Sequence, residues 1–140
     1  MVTLDPRRLR NVNTRTVYSF EEVYNFGKSN VWMSYRDSCR FVDRVWLEEV
    51  PDRLPPVVVP HEKWVDKMAS GAYYFHDHQI SVRPAVRSRG VLLHELTHAM
   101  GYLEHNPGFL AQLFTLLMKY CGCELGQLVM AAGFAGIVVR

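Results

Sequence analysis

Three residues in one short stretch could do chemistry together: His94, Glu95 and His98, which spell His-Glu-x-x-His. On a helix, residues four apart share one face, one turn above the other. His94 and His98 then point the same way, close enough for both imidazoles to hold one metal ion. Glu95 is offset enough to miss the metal, yet it reaches a water bound there. Two neutral His ligands, a carboxylate general base and an open coordination position form the zinc hydrolase pattern.

A catalytic zinc commonly takes three protein ligands and a water. Three residues compete for the third place. Glu104 follows Gly101 by three residues, the register in which His-Glu-x-x-His-x-x-Gly-x-x-His proteins place a ligand, although no clear Met-turn follows. Glu124 lies 26 residues past His98, a spacing seen when a second helix supplies a Glu. His105 stands just ahead of a further helix. Asn106 is a good N-cap there and Pro107 suits the first helical position, so a tight turn could swing His105 back over the pair.

Other reactive groups have plainer readings. His76 and His78 sit at the turn between two strand-like runs, 71–75 and 79–82, and read as a polar hairpin tip. That hairpin borders the cleft and could bind an extended substrate by strand addition. His61 follows Pro60 and reads as exposed. Arg83, Arg87, Arg89, Tyr73 and Tyr74 are rivals for stabilising charge on a carbonyl oxygen. Cys121-Gly122-Cys123 reads as a helix end.

The elements that must position these groups follow from periodicity and caps. Leu92, Leu96, Ala99 and Leu103 form an apolar stripe that faces a core, and both His lie off it. Ser88 is the N-cap of this helix and Gly101 comes near its end. Earlier, Thr16-Val17-Tyr18 reads as a short strand. Ser19-Phe20-Glu21-Glu22 matches a capping box, opening a short helix that stops by Gly27. Ser34 to Asp37 starts a second helix, with Tyr35, Cys39, Val42 and Trp46 on one face, ending before Pro51. Val57-Val58-Val59 is a strand. After Asn106 a long helix runs to about Tyr120, a last short helix covers 124–132, and the tail from Gly133 docks.

Composition bounds the rest. At 140 residues, 49% hydrophobic and 21% charged, the chain holds one globular domain. Residues 1–14, with Arg7, Arg8 and Arg10, read as a flexible basic arm, and 15–140 as the domain. Arginines without interleaved aromatics, at a net charge of +2, make nucleic acid an unlikely partner. No apolar run reaches membrane-span length, and the first twenty residues lack a secretory h-region. Three Cys make an odd count without a disulfide framework, which points to a reducing compartment: bacterial cytoplasm, or host cytoplasm for a phage protein.

His94-Glu95-Leu96-Thr97-His98, followed by His105-Asn106-Pro107-Gly108-Phe109, resembles the SprT-like zinc metallohydrolases. Their motif is His-Glu-x-x-His, then His-Gly-Pro-x-Phe opening the next helix. The likeness is greatest to small single-domain metallohydrolases of actinobacteria and their phages. It spans roughly residues 16–134, and 94–109 carries its specificity. Asn106 for the first Gly and Gly108 in the variable slot are departures. The resemblance implies His94, His98 and His105 as zinc ligands and Glu95 as the base.

The expectation is an α+β, minimal zincin-like domain: a small sheet with a hairpin, packed on helices, and the metal helix lining a cleft. The expected function is a zinc-dependent hydrolase, a metallopeptidase in which Glu95 activates zinc-bound water against a peptide or protein substrate. One alternative is a non-enzymatic, zinc-stabilised module that binds a partner; a fourth protein ligand such as His76, His78 or Glu104 would favour it. The other is a nucleic-acid-associated factor.

Overall fold

The computed structural model describes residues 3–24, 31–60 and 70–140. Through these the chain runs β1 (Leu9–Arg10), α1 (Thr14–Tyr24), α2 (Tyr35–Glu49), β2 (Val57–Val59), β3 (Gly71–Tyr74) and β4 (Gln79–Val82). It continues through α3 (Arg89–Ala99), α4 (Pro107–Cys121), α5 (Leu125–Phe134) and β5 (Val138–Val139). Among the described residues, these five helices and two small sheets make one α+β domain.

The start of α1 differs from the sequence expectation. Residues 16–18 are helical, not a strand, and Ser19 to Glu22 lie inside the helix. The cap is placed earlier. Asn13 Oδ1 accepts from the Thr16 N–H at 3.0 Å, and Thr16 Oγ1 accepts from the Asn13 N–H at 2.9 Å. This reciprocal pair satisfies helix-start donors as a capping box does, with Thr in the place usually held by Glu or Gln. Val17 and Phe20, one turn apart, are then fully buried. The expected helix end near Gly27 lies outside the described residues, as does His61.

Later elements form where caps and periodicity place them. Ser34 Oγ accepts from the Asp37 N–H at the start of α2, and Phe41, Val42, Val45 and Trp46 are buried along it. Tyr35, read as part of that core face, lies at the surface and donates its hydroxyl to the Val58 carbonyl at 2.7 Å. β4 is the middle strand of the larger sheet, parallel to β2 and antiparallel to β3. It is the most buried of the three strands, with Ile80, Ser81 and Val82 inside.

Helices α3 and α4 supply the largest share of the described core. Leu92, Leu93 and Leu96 share one buried cluster with Leu110, Leu113, Phe114 and Leu117, joined by Phe20 and Trp46. Leu103, expected to continue the stripe, is exposed because α3 stops at Ala99 and Gly101 turns the chain with φ of 114°. Residues 3–14, read as part of a flexible arm, are instead folded onto the domain. Leu4 and Leu9 are buried, and β1 pairs antiparallel with β5, Leu9 opposite Val139. Two apolar anchors and the backbone edge of the carboxyl-terminal strand outweigh the local excess of charge, while Arg7, Arg8 and Arg10 stay on the surface. Among the described residues, no helix is long and apolar enough to cross a membrane.

Candidate metal centre

Helix α3 carries His94, Glu95 and His98, and the start of α4 delivers His105. Ser88 caps α3 by accepting from the Val91 N–H. After α3 the turn through Gly101 brings the Tyr102 carbonyl back over the helix end. Asn106 caps α4 by accepting from the Phe109 N–H, with Pro107 in the first turn. His105, the residue before that cap, is thereby held against α3.

The three side chains converge through their Nε2 atoms. His105 Nε2 lies 3.1 Å from His94 Nε2 and 3.2 Å from His98 Nε2. Their opposite nitrogens are each engaged elsewhere. His98 Nδ1 is 2.7 Å from the Tyr102 carbonyl, which can only accept, so Nδ1 carries the proton and Nε2 the lone pair. His94 Nδ1 is 2.8 Å from Glu21 Oε2, which accepts from an Nδ1–H and leaves Nε2 turned to the cluster. His105 Nδ1 is 3.2 Å from the Thr14 hydroxyl. The His98 lone pair therefore points at the other two Nε2 atoms, and three ring nitrogens gathered at one point fit a cation bound between them. His94, His98 and His105 lie close enough together to hold a metal ion.

Glu104 and Glu124 do not join this group; both are exposed. His78 is committed elsewhere, with Nδ1 2.7 Å from the Tyr73 hydroxyl and Nε2 2.9 Å from the Leu54 carbonyl. Exposed His76 packs edge-on against Phe75. Arg87 covers the Tyr35 ring, and Arg89 donates to the Tyr120 carbonyl.

The ligand cage has a floor and a flank. The buried Phe109 ring sits 4.9, 4.7 and 4.9 Å from the rings of His94, His98 and His105. Tyr18 stacks on His94 at 5.9 Å and meets His105 edge-on at 5.2 Å. Sequence reasoning missed Thr14, Tyr18 and Glu21. They stand at i, i+4 and i+7 of α1, one stripe of that helix turned to the histidines. The signal was present in the spacing, but it appears only once residues 14–24 are taken as a single helix.

Electrostatics sharpen the picture. Burial, reinforced by His94, pushes His98 and His105 down to about 4, so both stay neutral at pH 7. Burial opposes charge on His94 as well, but the Glu21 carboxylate outweighs it and raises the pKa. The same negative field favours a metal cation at Nε2. Glu95 is buried, its Oε1 3.7 Å from His94 Nε2 and its Oε2 without a hydrogen-bond partner. Burial, assisted by Glu21, lifts it to about 7 against the pull of His94. β3 passes directly beside it: a Cβ built on Gly71 would lie 3.4 Å from Glu95 Cγ and only 2.9 Å from the Ser81 carbonyl. Only glycine lets the strand approach this closely.

Scans against protein-family models, curated proteins and solved structures found no match for the chain.

Proposed function

We propose that the chain is a metal-dependent hydrolase acting on peptide bonds, with His94, His98 and His105 holding a divalent ion and Glu95 as the general base. The observation that carries this is the convergence of three Nε2 atoms beside a buried carboxylate with an unpartnered oxygen. Three protein ligands suit a catalytic site; a structural zinc site is closed by a fourth. No other described His, Cys, Asp or Glu joins the three. Zinc is the natural ion for a neutral imidazole set, and when bound it supplies Lewis acidity and a more acidic water.

The chain's own residues do the rest. Glu21, the Tyr102 carbonyl and Thr14 orient the imidazoles. Glu95, at a pKa near neutrality, takes a proton from the attacking water and delivers it to the departing amine. Phe109 closes the site from below. β3, beside Glu95, is the strand along which an extended peptide is expected to lie. On this reading the fold is a minimal zincin, in keeping with the SprT-like resemblance of residues 94–109.

Glu95→Gln tests the proposal. The variant is expected to keep stoichiometric metal while peptide hydrolysis falls by about 10²–10⁴. Full activity in that variant would overturn the mechanism.

A further inference from the structure

At the far end of the α3/α4 pair lies a cavity of about 560 Å³. Arg89 opens α3 and donates to the Tyr120 carbonyl near the end of α4 at 3.1 Å. The histidines gather at the opposite end, where α3 finishes and α4 begins. At 1.5 Å rise per residue, Cys121 stands about 18 Å along α4 from Phe109. The cavity is therefore distinct from the metal centre.

Arg40, Arg44 and Arg89 line it, and Asp37 is its single acid. Among the described residues none of the three guanidiniums makes an ion pair. Two are held in place by one aromatic ring. The Cζ atoms of Arg44 and Arg89 lie 5.6 and 5.4 Å from the centroid of Phe41. Arg44 also lies 5.9 Å from the centroid of Tyr120. Stacking fixes the guanidinium planes and leaves their edges free to donate. Arg89 has five N–H donors, and the Tyr120 carbonyl occupies one.

Arg40 stands one turn before Arg44 on α2, which sets the two side chains on one face of that helix. Met33, Phe41 and Cys121 give the remaining wall an apolar character.

We propose that this cavity binds a small organic anion: a phosphate or carboxylate gripped by Arg40, Arg44 and Arg89, on an apolar body lying against Met33 and Phe41. Arginine forks match both oxyanions, and the apolar wall excludes neither. The site holds whether or not the metal centre hydrolyses peptides.

Calorimetric titration of the full, metal-loaded chain with phenyl phosphate, benzoate and inorganic phosphate, at fixed ionic strength, tests it. Saturable one-to-one binding of phenyl phosphate or benzoate is expected, and the tighter of the two identifies the anion. Inorganic phosphate is expected to bind more weakly than phenyl phosphate; equal affinity would refute the apolar body. Arg40→Ala/Arg44→Ala removes two exposed side chains and should preserve fold and metal content while weakening binding at least about tenfold. Arg44→Lys keeps the charge but loses the fork, and an intermediate loss is expected. Binding that persists in the double variant, or that disappears in His98→Ala instead, assigns the anion to the metal centre and overturns the proposal. Failure of all three probes to saturate does the same.

Discussion

The three histidines differ in what holds the nitrogen turned away from the cluster: a carboxylate for His94, a backbone carbonyl for His98, a hydroxyl for His105. Of these the carboxylate alone adds charge, so it should matter most to the metal. Glu21→Gln preserves shape and leaves an amide oxygen to accept, but removes the negative field at His94. Metal affinity is expected to fall about 10–100-fold, measured by competition with a chromogenic chelator. An unchanged affinity would reduce Glu21 to packing. His94, Glu95 and His98 were legible as candidates because a helix converts four-residue spacing into a shared face. Glu21 was not, because it lies 73 residues away from His94 and no local rule links them.

At the scale of elements, the α3-to-α4 connection does the positioning. Gly101 adopts φ of 114°, a region that a side chain strains, and Asn106 ends the connection as a cap. Asn106→Ala is expected to cost about 1 kcal/mol in urea denaturation. It should also weaken metal binding, because His105 precedes the cap directly. If stability drops while metal affinity is untouched, His105 is held by something other than the cap. The Asn106-Pro107 signal could be read from sequence, since N-caps and first-turn prolines are local preferences. The start of α1 could not, because the Asn13–Thr16 box uses an uncommon partner and Ser19-Phe20-Glu21-Glu22 imitates the ordinary one three residues after Thr16.

For the whole molecule, burial of ionisable histidines links stability to pH. His98 and His105 drop from 6.5 to about 4 on folding. In metal-free protein the unfolded chain therefore binds more protons between those values, and stability falls as pH falls through that window. His94 shifts the other way. It adds stability below 6.5 that is lost as pH rises through its folded pKa. Glu95, lifted from 4.5 to about 7, also gains as pH falls, so the two offset the loss down to about pH 5.5 and only part of it below. Thermal melts of chelator-stripped protein should show the midpoint falling between pH 5.5 and pH 4, where the His98 and His105 loss outweighs the other groups. A flat or rising midpoint would contradict the burial of the pair. The closing of the domain by its two ends is tested by Leu9→Ala. This residue is 1% exposed, and the change is expected to cost about 2–5 kcal/mol. A loss within experimental error would return residues 3–10 to the status of an arm.

By itself the sequence determined the local things: which helix carries His94, Glu95 and His98, where α2, α3 and α4 begin, that 71–82 is a hairpin, and that Cys121-Gly122-Cys123 ends a helix. Each follows from preferences acting over a few residues. The sequence already pointed to His105 as the third member, which the structure brings to the pair rather than Glu104 or Glu124; tertiary structure alone decided that one stripe of α1 supports it. It also decided that the amino-terminal segment is part of the core and that three arginines share a cavity. Those outcomes depend on which distant surfaces bury each other, a balance of burial and hydrogen bonding that no short window of sequence contains.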